Sequence, residues 1–160
     1  MKPRKGLTLT EIIIVIGLIA LLSVFLTTNV FKSRNVIALD TSIDSLINDI
    51  KGQQIQAMTG YNQFSDVNNY YGIYFESNRY ILFHSSTYQP ALATNFSVNL
   101  SNGNQFSVIN FPDNQIVFSS ASGKITNFNP SVNSLTIRNI NSNDQKTLYF
   151  NNYGVVYAIN

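Results

Sequence analysis

Twenty consecutive residues, Ile12 to Phe31, pass without a charged side chain, and a single carboxylate, Glu11, stands at their entrance. About 20 apolar residues is the length a helix needs to cross a hydrocarbon core of roughly 30 Å. Lys32 and Arg34 close the run. Lys2, Arg4 and Lys5 precede it with no acid among them, so the positive-inside rule holds the N-terminus in the cytoplasm and sends everything after Phe31 outward. The run is longer than the apolar core of a secretory signal, and neither Ser23 nor Ala38 completes a small-x-small cleavage site. A lipoprotein signal needs a cysteine, and the chain has none.

A carboxylate inside an apolar helix costs about 2.5 to 3.5 kcal/mol at mid-membrane, and less one turn from the end. Glu11 therefore needs a cationic partner or a place near the headgroups, and no basic residue lies between Leu7 and Phe31. Were the chain cut after Gly6, a new α-ammonium on Leu7 would stand about one helical turn from Glu11. It would be equally available to the Glu11 of a neighbouring copy. A charge that is costly alone would then set the register between packed helices.

The helical period runs on past the apolar stretch. Val36, Ile43, Leu46, Ile47, Ile50 and Ala57 recur at helical steps, with Asp40, Asp44, Asn48 and Lys51 between them, so an amphipathic stalk follows over residues 32–60. No proline falls between Leu7 and Thr59, and Gly60 followed by a polar stretch reads as the stop. One helix of about fifty residues is expected.

From residue 61 the pattern alternates instead. Charged residues are 11% of the chain, and this part is crowded with Asn, Ser, Thr, Tyr and Phe, a composition that favours strands on an extracytoplasmic module. Tyr70–Phe75 and Arg79–His84 flank Glu76-Ser77-Asn78, where Asn78 is expected to take the left-handed conformation of a short hairpin. Strand-like runs begin at Asn95, Gln105, Gln115, Gly123, Ser134, Lys146 and Gly154, separated by turn clusters. The expected fold is α+β: a long N-terminal helix, its first half transmembrane and its second amphipathic, packed against a C-terminal antiparallel sheet domain.

The leader "KGLTLTE" resembles the processing signal of the type IV prepilin and pseudopilin superfamily: a short basic segment ending in Gly, a hydrophobic first mature residue, then Thr-Leu-x-Glu entering a long apolar helix. The resemblance implies residues 1–6 as a cytoplasmic leader, Gly6 before the scissile bond, and Leu7 as the new, N-methylated terminus, where phenylalanine is the commoner residue. It further implies 7–31 as the membrane and filament-core helix, with Glu11 as the assembly carboxylate, and 61–160 as a pilin-like domain. The order of later residues, Phe118 and Gly123, Thr136 and Ile137, then Gly154 with Val156, loosely resembles the GspH/FimT-type minor pseudopilins. Implied partners are a prepilin peptidase, other pilin or pseudopilin subunits, an inner-membrane assembly platform and membrane lipid. The implied location is the inner membrane and then the pilus or pseudopilus.

Chemistry of other kinds finds little footing. His84 is the one histidine, read as a surface residue at a strand end, and Asp40 and Asp44 share a helix face that solvent explains. "NSND" from Asn141 could suggest calcium but reads as a turn, and no phosphate-binding glycine loop occurs. No enzyme activity, metal or cofactor is expected. A formal charge of +2 invites nucleic acid, but without Lys2, Arg4 and Lys5 seven bases face eight acids, a formal −1. The uncharged tail "GVVYAIN" lacks the basic end of the DNA-uptake receptors that some related pilins resemble. A DNA-uptake or adhesive pilin on the same anchor is the alternative reading.

Overall fold

The computed structural model describes residues 6, 8–60, 70–101 and 103–160; for residues 25–35 it describes the backbone without the side chains. The chain forms two compact units, Met1–Arg34 and Asn35–Asn160. Its class is α+β, and among the described residues one α-helix, α1 (Leu9–Thr59), is followed by eight strands.

α1 is 51 residues long, as the absence of proline allows. It stops where Gly60 adopts φ +63°, a conformation glycine takes without a Cβ penalty. Within the first unit its apolar side chains are exposed all round, Ile12 at 45%, Ile16 at 61% and Val24 at 63%. Among the described residues no helix is long and apolar enough to cross a membrane. The expected span, Ile12 to Phe31, continues past Val24 into residues whose side chains lie outside the description. Lys2, Arg4, Lys5 and Leu7 also lie outside it.

In the second unit α1 buries Leu39, Ile43, Leu46, Ile50 and Ala57 at the centre of the core. Val36, expected on the same stripe, is exposed. It lies beyond Ala38, whose carbonyl accepts a bond from Asn104 Nδ2 at 2.9 Å and is, among the described residues, the most N-terminal point on α1 that a strand residue bonds. Asp40, expected to be merely solvated, pairs with Lys146 Nζ at 2.6 Å.

The strands form two antiparallel sheets rather than the single sheet expected. The first orders β3 (Phe96–Asn99), β2 (Arg79–Phe83), β1 (Tyr71–Phe75) and β5 (Gln115–Phe118). The second orders β4 (Asn104–Asn110), β6 (Ser134–Asn139), β7 (Gln145–Phe150) and β8 (Val156–Ile159). Among the described strands the chain changes sheet between β3 and β4, between β4 and β5 and between β5 and β6, and the second of these crossings is a tight turn. There Pro112 has no N–H for a ladder, and Asp113 and Asn114 both take φ 53°, turning the chain from one sheet to the other.

Gly123–Phe128, expected as a strand, makes only a bridge between Ile125 and Phe118. Its successive amides bond different elements: Ile125 donates to Asn152 O at 2.9 Å and Thr126 to Val117 O at 2.8 Å, so no ladder can extend. The β1–β2 hairpin is present, but Asn78 keeps a negative φ. The carbonyls of Ser77 and Asn78 accept the amides of Phe106 at 2.7 Å and Leu100 at 3.0 Å, so contacts from neighbouring segments hold a turn that an isolated hairpin would disfavour.

Candidate functional site

At the start of α1, Thr8 and Glu11 form a reciprocal pair. The Thr8 amide and hydroxyl both donate to Glu11 Oε2, at 2.9 and 2.8 Å, and the Glu11 amide donates back to Thr8 Oγ1 at 3.3 Å. The first intrahelical bond runs from the Ile12 amide to Thr8 O at 3.2 Å. This is a capping box, in which a hydroxyl residue and a glutamate three positions later satisfy amides that the helix leaves without partners. The signal stood in the sequence as Thr8-x-x-Glu11 and supplies a local role for the carboxylate that the charge argument alone did not find.

Gly6 is exposed and a Cβ built on it meets nothing within 4 Å, so the bond after it is sterically open from the Gly6 side. The capping box fixes the helix start at Leu9, two residues beyond Leu7. Beyond it lies a helix surface apolar on all sides, a pattern found when lipid or other chains cover a helix. The segment thus combines an accessible glycine, a defined helix start, one anion and a large uncovered apolar surface.

The remaining candidates behave as parts of the fold. The His84 ring stacks on Tyr71 with centroids 4.4 Å apart and is half-buried rather than on the surface. Tyr80 is buried and donates its hydroxyl to Asp49 Oδ2 at 2.5 Å. Burial, then the bond to Asp49 and its charge, push the Tyr80 hydroxyl well above the usual tyrosine range. "NSND" is a turn in which Asn139 Oδ1 accepts the amides of Asn141 at 3.0 Å and Ser142 at 3.1 Å. Among the described residues no group of three or more His, Cys, Asp or Glu side chains could hold a metal. A groove of about 290 Å³, mostly apolar, opens between Ile47 and Lys51 of α1 and residues 155–159.

Of the positions that loosely resembled the minor pseudopilins, Gly123 and Gly154 lie against α1. Gln54 Nε2 donates to Gly123 O at 2.9 Å and Tyr153 O at 2.8 Å. Gly154 packs on Phe118 and Ile50. Compared with known proteins, the chain matches no family model, no curated protein and no solved structure.

Proposed function

We propose that the chain is a structural subunit of a filament of the type IV pilus or type II secretion pseudopilus kind. It is made as a membrane-inserted precursor, cut after Gly6 by a prepilin peptidase, N-methylated on Leu7 and assembled through α1. The observation that carries this reading is the first unit itself: a capped helix start bearing one carboxylate, followed by a helix whose apolar side chains are exposed on every side. In the bilayer, lipid covers that surface; in the filament, the same surface packs on other subunits and leaves the lipid with little change in apolar exposure. The chain works by assembly rather than by catalysis.

Glu11 has two tasks in this scheme. Its Oε2 caps the helix within the chain, while the charge it carries meets the α-ammonium that cleavage creates on its own or a neighbouring Leu7. Mass spectrometry of the N-terminus in the native cell tests the reading. A chain beginning at N-methylated Leu7 is expected, and a chain that retains Met1 would overturn it. Gly6→Val should block the cut, because a branched side chain crowds the residue before the scissile bond.

A further inference from the structure

The first sheet has two apolar faces. On one, Ile73, Phe75, Tyr80 and Ile116 belong to the core around α1. On the other, the register sets Tyr74 beside Ile81 and Gln115, and Gly72 beside Phe83 and Val117. Ile81, Phe83 and Val117 are buried there as well. Residues 84–95 join β2 to β3 without forming a strand, and they reach this face at Thr87 and Tyr88. The Tyr88 amide donates to Gln115 Oε1 at 2.9 Å, and Gln115 Nε2 donates to Thr87 Oγ1 at 3.1 Å. The Tyr88 ring lies on the Tyr74 ring, with centroids 4.1 Å apart and planes 10° from parallel.

Stacking accounts for two aromatic rings at this point but not for two phenols. Phenylalanine would stack as well, and neither the Tyr74 nor the Tyr88 hydroxyl makes a hydrogen bond among the described residues. The Tyr80 hydroxyl, by contrast, is held by Asp49. Both stacked rings are half-buried, so an oxidant in solvent has an access that the buried Tyr80 denies it. Among the described residues no other two tyrosine rings lie so close: Tyr149 and Tyr157 are 6.3 Å apart and tilted by 46°. Parallel rings at 4.1 Å stand at about van der Waals contact, so their edge carbons need little motion to meet.

We propose that Tyr74 and Tyr88 form an oxidative cross-linking site, whose co-reactant is hydrogen peroxide acting through a one-electron oxidant of the haem peroxidase kind. Each phenol loses one electron and its hydroxyl proton. The two phenoxyl radicals join by a C–C bond between the carbons ortho to the hydroxyls, and the hydrogens on those carbons move to the oxygens, restoring both phenols. Two electrons and two protons leave in all, and they reduce one peroxide to two waters. The product, dityrosine, ties residues 84–95 to β1 in a chain that has no cysteine for a disulfide. The inference is independent of the assembly reading.

The basic residues from 51 to 124 are Lys51, Arg79 and Lys124, so trypsin separates residues 52–79 from 80–124 unless a bond joins them. The full chain in detergent, treated with a haem peroxidase and hydrogen peroxide, should stay monomeric and lose two hydrogens in mass. It should gain the blue emission of dityrosine and yield the two tryptic pieces joined at 74 and 88. Hydrogen exchange within 84–95 should slow. Tyr74→Phe and Tyr88→Phe keep the stack and should each lower the monomer's emission at least about ten-fold, while Tyr149→Phe should leave it unchanged. No joined piece, a joined piece that survives Tyr88→Phe, or coupling that yields only dimers overturns the site. Chain recovered from native cells exposed to peroxide should carry the same joined piece, and its absence there would overturn the site too.

Discussion

Gly154 lies against Phe118, so closely that a Cβ built on it would stand 2.8 Å from the ring's Cζ and 3.4 Å from Ile50 Cγ2 on α1. The backbone there has φ +70°, and Phe118 and Ile50 are both fully buried. Gly154→Ala therefore meets two penalties. The left-handed conformation costs an L-residue about 1–2 kcal/mol, and overpacking a filled core costs about 1–3 kcal/mol. Thermal unfolding of the full chain in detergent should show a marked fall in midpoint for this variant.

Gln54 ties two loops to α1 by donating to Gly123 O and Tyr153 O. Gln54→Leu leaves both carbonyls without that donor, at about 1–3 kcal/mol for each one that stays dry. The loss is local to the loops at 119–124 and 151–155. Hydrogen exchange should therefore speed up there before it changes in β1 or β2.

Tyr80 makes stability fall in alkali. Its hydroxyl titrates higher in the folded chain than the ordinary value of about 10, so the folded state holds a proton that the unfolded state has released. Its contribution is complete below about pH 10 and is lost as the pH rises from there toward the folded value. Tyr80→Phe should cost about 1–3 kcal/mol at neutral pH by leaving Asp49 without its donor. It should also flatten the alkaline limb. Urea unfolding of both forms at pH 7, 9 and 10.5 measures the two effects together.

Glu11→Gln separates capping from charge. A glutamine at this position of a capping box still accepts the Thr8 amide, so the helix start and the cut after Gly6 should survive. The pair with the α-ammonium should not, and the assembled fraction should fall at least about ten-fold. Glu11→Val should fail in both respects at the helix end yet still be cut, which the N-terminal mass and the exchange rate of the Thr8 amide would report. Full assembly by either variant would remove the ionic role of Glu11.

Lys146 and Asp40 form the most distant ion pair described, 106 positions apart, with side chains 40% and 47% exposed. Exposed pairs contribute about 0–1 kcal/mol and are screened by salt. Lys146→Met should therefore change the unfolding midpoint little, and that small change should vanish in 1 M salt.

Much of this protein could be read from local pattern. The length of α1, its end at Gly60 and all eight described strands follow from proline and glycine positions and from the switch between a period near 3.6 and a period of two. Thr8-x-x-Glu11 is equally local, a capping signal written within four residues, in which the carboxylate that carries the charge also accepts the Thr8 hydrogen bonds. The failures have a common origin. Gly123–Phe128 has strand composition, yet its amides are claimed by Asn152 and Val117 from two different neighbours. Asn78 suits a left-handed turn, yet Phe106 and Leu100 hold the turn's carbonyls from outside.

By itself, then, the sequence determined which segments are helix or strand and which face of each is apolar, because those depend on residues within a few positions of one another. Only the tertiary structure decided that the strands divide into two sheets, that Asp40 reaches Lys146 and that Gly154 must remain bare beneath Phe118. Those outcomes depend on groups far apart in the chain competing for the same space and the same donors, and such competition leaves no periodic trace in the order of residues.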